Sequence, residues 1–252
     1  MVQCPNEGDG LLSNGFNTEH LQKFIEYIED STQSVLGKSA ITWCENIKKR
    51  SSNNDRSYED FPLLPSERQC RYSLQKWIND IGYSDLKSCS AAILAWGGMK
   101  VSHGHLAFQS YDLWGPIING LYNGSISKED AYDRFLTLRQ RSELKGMGIA
   151  YFTKLIFFIT HTDAYLKSRN HSGYILDQWT ARSINLLSDT PIITMQSSWV
   201  SDKNTGSVYG KFCEKIEQLA DLIHRTPAQT EELLFSHGGR NKGSWRAYII
   251  AQ

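Results

Sequence analysis

The sequence lacks an excess of charge of either sign: 27 lysines and arginines face 27 aspartates and glutamates. The overall basic character that usually marks a nucleic-acid binder is therefore missing, although a local patch would neutralise phosphates just as well. Cysteines are few and unpaired in pattern. Cys4, Cys44, Cys70, Cys89 and Cys213 are scattered, odd in number and never spaced as Cys-x-x-Cys. That argues against a disulfide framework, a cysteine zinc site and an iron–sulfur cluster, and it suits reduced thiols. Long apolar runs are missing too. The run Leu155 to Ile159 is core-sized and far below the roughly 18 residues of a membrane span. Met1 to Gly10 is polar and acidic, with no secretory pattern. The expectation is a soluble, cytoplasmic protein with no membrane partner.

Most of what is present reads as helix. Leu21, Phe24, Ile25 and Ile28 follow amphipathic spacing behind Asn17, a capping residue. Ser66-Glu67-Arg68-Gln69 has the form of a capping box and predicts a helix running through Trp77 and Ile78. Ser127 to Asp130 opens another, burying Ala131, Phe135 and Leu138. Val208 to His224 carries Phe212, Ile216 and Leu219 on one side. Thr226-Pro227-Ala228-Gln229 is a helix start with proline at the first helical position. Pro191 to Met195 is the best strand candidate, short and isolated. The predicted fold is all-α with irregular loops. The polar stretch Ser51 to Tyr58 divides an N-terminal helical region, 1–58, from a helical body, 59–252. Ser197 to Ser207 reads as a second polar loop. Two basic runs stand out: Lys48, Lys49 and Arg50, and Arg240, Lys242 and Arg246. Such runs are more often solvated surface than DNA contacts.

The most informative stretch is 144–159, beginning Leu144-Lys145-Gly146-Met147-Gly148-Ile149-Ala150. One helix ends before Gly146 and the next begins after Gly148. Glycines at both positions allow a tight turn and close approach to another chain, while Met147 plugs into the core. The N–H groups of the turn and of the following helix then face outward and suit an anion such as a DNA phosphate. A plain glycine-capped helical corner would look the same. After a polar linker, 160–172, comes Gly173-Tyr174-Ile175-Leu176-Asp177-Gln178-Trp179. A helix starts near Asp177, whose carboxylate sits where the dipole favours an anion. By itself that is an ordinary N-cap.

Taken together, Leu-x-Gly-hydrophobic-Gly, an apolar helix and then hydrophobic-Asp opening another helix resemble the helix-hairpin-helix DNA glycosylases. Ile175 to Trp179 is similar to the aspartate segment of the 8-oxoguanine glycosylase branch. Gly146 to Leu155 looks closest to its bacterial 8-oxoguanine glycosylase-like subfamily, which includes an antiphage glycosylase acting on glucosylated hydroxymethylcytosine. The resemblance covers about residues 90–190 and implies a helix-hairpin-helix glycosylase fold with DNA as partner. It implies Asp177 as the catalytic carboxylate, stabilising positive charge on the sugar as a flipped base departs. It places Lys145, Gly146, Met147, Gly148, Ala150 and Arg182 on DNA. Trp96, Met99, His103, His105 and Trp179 become base-pocket candidates, against the plainer alternative that the aromatics are core and the histidines surface. His103-x-His105 lacks further ligands for zinc, so no metal site is expected. No cofactor is required, with a monovalent or divalent cation at the hairpin left open.

The chain departs from the family pattern in three places. Ala150 stands where bifunctional relatives carry a Schiff-base lysine. Lys154, one helical turn along, is the secondary catalytic candidate. Phe152 replaces a small residue, and the linker before Asp177 is long. The expectation is a monofunctional enzyme that leaves an abasic site. Its substrate is a modified phage cytosine, with oxidised guanine as the alternative. A catalytically silent hairpin DNA-binding module is the competing class.

Overall fold

A computed structural model describes residues 15–28, 35–50, 61–168, 172–236 and 243–252. The chain runs through α1 (Thr18–Tyr27), α2 (Ala40–Lys48), α3 (Arg71–Ile81), a 3-10 turn (Gly82–Asp85), α4 (Leu86–Trp96), α5 (Val101–Gln109) and α6 (Tyr111–Tyr122). It continues with α7 (Lys128–Gln140), α8 (Ile149–Thr160), α9 (Asp163–Ser168) and α10 (Gln178–Leu187). After the two-residue strands β1 (Met195–Gln196) and β2 (Trp199–Val200) come α11 (Gly206–Leu222), α12 (Pro227–Phe235) and α13 (Ser244–Ala251). Among the described residues the fold is all-α apart from that antiparallel ribbon, as expected. The proposed divider at 51–58, the segment 1–10 and two members of the second basic run, Arg240 and Lys242, lie outside the described residues.

α8 is the axis of the body. Ile149, Phe152, Thr153 and every residue from Leu155 to Thr160 are buried, so this helix is apolar nearly all round and packs against α4, α6 and α7. Helices of that kind belong inside a domain rather than on its surface. Phe152, the bulky departure in the hairpin helix, is absorbed between helices: its ring stacks on Phe135 at 5.1 Å and meets Tyr132 edge-on. α11 packs on α7 and α12, and α10 on α12, α1 and α13. α2 packs against α4 and α5.

Caps mark several helix starts as the sequence predicts. The side chains of Asn17, Ser127 and Thr226 each accept a backbone N–H, and the last two form capping boxes. Two expectations need correction. α3 begins at Arg71, not at the Ser66 box, because residues 66–70 are committed elsewhere. Arg68 donates to the carbonyls of Leu36 and Gly37, and the Gly37 N–H bonds to the Gln69 carbonyl. The strand expected at 191–195 shrinks to β1. The N–H groups of Ile192 and Ile193 are taken by the Asn185 side chain instead of a neighbouring strand.

Candidate active site

The hairpin is built as its sequence suggests, but its two glycines serve different ends. Gly146 has φ +78°, and a Cβ there would meet the His103 carbonyl oxygen at 2.4 Å. It is glycine because the turn is left-handed and rests on the backbone of α5. Met147 is fully buried, pinning the turn to the core. Gly148 caps α8 in an ordinary extended conformation, φ −90°. A Cβ there would meet only the Arg139 guanidinium, at 3.9 Å. The fold does not require glycine at 148; what its absent side chain leaves free is the approach to the α8 N-terminus.

The Gly146→Ala and Gly148→Ala variants should therefore separate. The first loses more than about 1 kcal/mol of stability in urea titration, from strain at positive φ and from the clash. The second holds its stability within about 1 kcal/mol. It is expected to bind duplex DNA more weakly in fluorescence anisotropy, the outcome a phosphate site at the α8 N-terminus requires.

Asp177 is placed by α8 as much as by its own helix. The Thr153 hydroxyl donates to the Ile149 carbonyl at 2.8 Å and accepts the Leu176 N–H at 3.1 Å. Thr160 does the same one level down, accepting the Gly173 N–H at 2.8 Å. These two buried threonines clamp the extended segment 173–176 along the central helix and deliver Asp177 to the hairpin end. There its Oδ1 accepts the N–H groups of Trp179 (2.7 Å) and Thr180 (3.0 Å). The Thr180 hydroxyl returns a bond to the Asp177 N–H. Both cap bonds fall on Oδ1, so Oδ2 takes no part in the cap.

A cleft of about 320 Å³ brings these parts together, at the lower end of the roughly 300–1,000 Å³ typical of small-molecule sites. One wall is Gly148 and the first turn of α8, including Ala150; another is Asp177 with Gln178; the third is Trp199, Val200 and Asp202, with Arg139. Arg139 joins two walls. It donates to the Met147 carbonyl at 2.8 Å and grips the Asp202 carboxylate through Nε and Nη2 at 2.9–3.2 Å. Neither Arg139, Asp202 nor Trp199 was singled out from sequence. A tryptophan inside the polar loop 197–207 was the one signal available.

Behind Asp177 lies a cluster of buried charge. Arg71 and Glu231 form a buried ion pair, with the Arg71 guanidinium 4.1 Å from the Phe157 ring centre. Burial pushes Glu231 up to about 7, the Asp177 charge adding to the rise and Arg71 opposing it. Burial pushes Lys154 below its ordinary value, while the charges of Asp177 and Glu231 resist. The Lys154 ammonium donates back to the Ala150 carbonyl at 3.0 Å. Arg246 is likewise lowered by burial and countered by Asp177. It lies 4.8 Å from the Trp179 ring centre, with Arg182 at 5.4 Å from the same ring.

The remaining sequence candidates sit apart from the cleft. Met99 is fully buried in the core and meets its neighbours through its carbonyl, which accepts from Lys38 and Trp43. Its side chain therefore lines no base pocket at the surface. Trp96 packs edge-on against Phe158 and over Gly37. His103 is exposed on α5, where its backbone supports Gly146; His105 is half-buried and reaches Gln109 at 3.3 Å. Lys145 is exposed beside the turn.

Residues 115–235 match the family model described as "Putative 8-oxoguanine DNA glycosylase OGG-like protein". This segment is OGG-like. Comparison with curated proteins and with solved structures gives no match. The OGG-like segment runs from α6 to the end of α12. It holds the hairpin, Lys154, Asp177, the β1–β2 ribbon and Glu231, which is every wall of the cleft. The match over this segment supports a DNA glycosylase at the family level, for which DNA is the substrate. No helix among the described residues is long and apolar enough to cross a membrane.

Proposed function

We propose that the chain is a monofunctional glycosylase of the cytoplasm that flips a modified base out of phage DNA, excises it and leaves an abasic site. The proposed base is glucosylated hydroxymethylcytosine, excised as antiviral defence. The observation that carries the mechanism is the shared cleft: the hairpin's open N-terminus and the Asp177 carboxylate line the same cavity. Phosphate bound at the α8 N-terminus would set the strand beside Asp177. The carboxylate then faces the positive charge that grows on the deoxyribose as the base leaves, and orients water towards it. Ala150, on the cleft wall, offers no amine for a Schiff base. The wording of the hairpin, similar to the defence-associated subfamily, supports the choice of base.

We propose further that the reaction requires no cofactor, a monovalent or divalent cation at the hairpin being the one group the resemblance leaves open.

The test is an abasic-site assay with an aldehyde-reactive probe on plain DNA, 8-oxoguanine DNA and glucosylated hydroxymethylcytosine phage DNA. Signal is expected on the phage DNA alone, without strand cleavage. The family description favours 8-oxoguanine, and signal only there makes the protein a repair enzyme. Binding without signal on any of the three makes it a silent DNA-binding module. A borohydride-trapped adduct lost in Lys154→Met would replace the monofunctional mechanism with a lyase.

A further inference from the structure

Trp199 is 70% exposed, whereas Trp43, Trp114 and Trp245 are fully buried. It stands on β2 at the lip of the cleft, opposite the first turn of α8. The ribbon that carries it has only two paired positions, Met195 with Val200 and Gln196 with Trp199. Backbone pairing that short does not hold itself. Side chains hold it instead. Asn185 bonds Ile192 and Ile193 N–H and the Ile193 carbonyl at 2.7–2.9 Å. Asn204 bonds Thr194 at both its N–H and its carbonyl, at 2.8 and 2.9 Å, and the Ser201 carbonyl at 2.7 Å. The Gln178 amide, oriented to satisfy both its ends, donates to the Ser198 carbonyl at 2.8 Å and accepts from the Trp179 indole at 3.2 Å. Arg139 then ties Asp202 to the hairpin.

Three amides and an ion pair thus fix the ribbon that carries this large, exposed apolar ring. That arrangement gains nothing for the free protein, and exposed apolar surface held next to a polar cleft marks a binding face. An indole accepts any nucleobase on its flat face, because every base has a π surface. The nearby α8 N-terminus supplies the phosphate contact that brings a strand within reach. From this juxtaposition we propose that Trp199 is a stacking platform for an unpaired nucleobase of the bound strand at the mouth of the Asp177 cleft. The inference rests on the glycosylase reading for what brings DNA to the site, but the stacking contact stands without chemistry.

The test compares two labelled duplexes in fluorescence anisotropy with the intact chain. One carries a central mismatch, the other a pair of abasic sites at the same position, so the control offers no unpaired base while the phosphate count and the salt-dependent term are equal. Wild type should bind the mismatch duplex roughly tenfold more tightly, the scale of one base stacked on an aromatic side chain. Trp199→Ala should lose that preference, and Trp199→Phe should keep most of it. Equal binding of both duplexes by wild type, or a preference that survives in Trp199→Ala, overturns the proposal. A preference lost in Trp199→Ala in a protein that releases no base from any DNA would leave Trp199 in place and remove the glycosylase reading. Base release without the preference would do the reverse.

Discussion

Asp177→Asn is expected to lower base release by about a thousandfold, at the upper end of what removing one electrostatic stabiliser of a transition state costs. Asparagine is the informative substitution because it caps a helix as well as aspartate does. Its side-chain oxygen can accept the Trp179 and Thr180 N–H groups that Oδ1 accepts now. The cap, and with it the path of residues 173–176, should survive; only the charge goes. Asp177→Ala is a poorer test, since loss of the cap alone removes about 1 kcal/mol of stability. Single-turnover release of the base, read alongside DNA affinity, separates the two contributions. Affinity should hold while release falls. Full activity in Asp177→Asn would exclude the carboxylate mechanism.

The second large effect belongs to the buried ion pair. Arg71→Met should cost about 3–5 kcal/mol near pH 8, because it leaves the Glu231 carboxylate buried without its partner. Glu231 already sits up at about 7 through burial, above the ordinary carboxylate range, and loss of Arg71 raises it further. A carboxylate whose folded value is raised favours folding below its unfolded value, and that contribution is lost as pH rises through the folded one. Arg71→Met should therefore be most unstable above pH 7 and recover towards pH 5. Adding Glu231→Gln should restore much of the loss and flatten the pH dependence, since removal of both charges is far milder than removal of one. Urea titrations at pH 5 and pH 8 read all three proteins. A loss in Arg71→Met that is the same at both pH values would mean that Glu231 is not the charge left stranded.

What was legible in the sequence was local. Asn17, Ser127, Asp177 and Thr226 announce their helices because a cap is settled within four residues. The turn around Gly146 is equally local, and Met147 takes the buried place its flanking glycines imply. The Ser66 pattern misleads for a reason of longer range: Arg68 spends its guanidinium on the carbonyls of Leu36 and Gly37, and a helix starting there would give up those bonds. Met99 is a base-pocket candidate by resemblance, yet its side chain is buried and its carbonyl takes the indole N–H of Trp43, far back in the chain on α2. The third wall of the cleft was invisible for the same reason. Arg139 meets Asp202 across 63 residues, and no spacing rule connects them. The 197–207 loop reads as solvent-facing because its residues are polar, but Asn204 spends its amide on the backbone.

The two hairpin glycines also differ in who enforces them. At 146 the protein's own backbone forbids a side chain, so any population of variants that must fold will keep glycine there. At 148 nothing within the chain objects. A library screened only for folded protein should fill position 148 with small residues freely, and the same library screened for action on DNA should empty it again. That one position distinguishes the constraint imposed by the protein from the constraint imposed by its ligand.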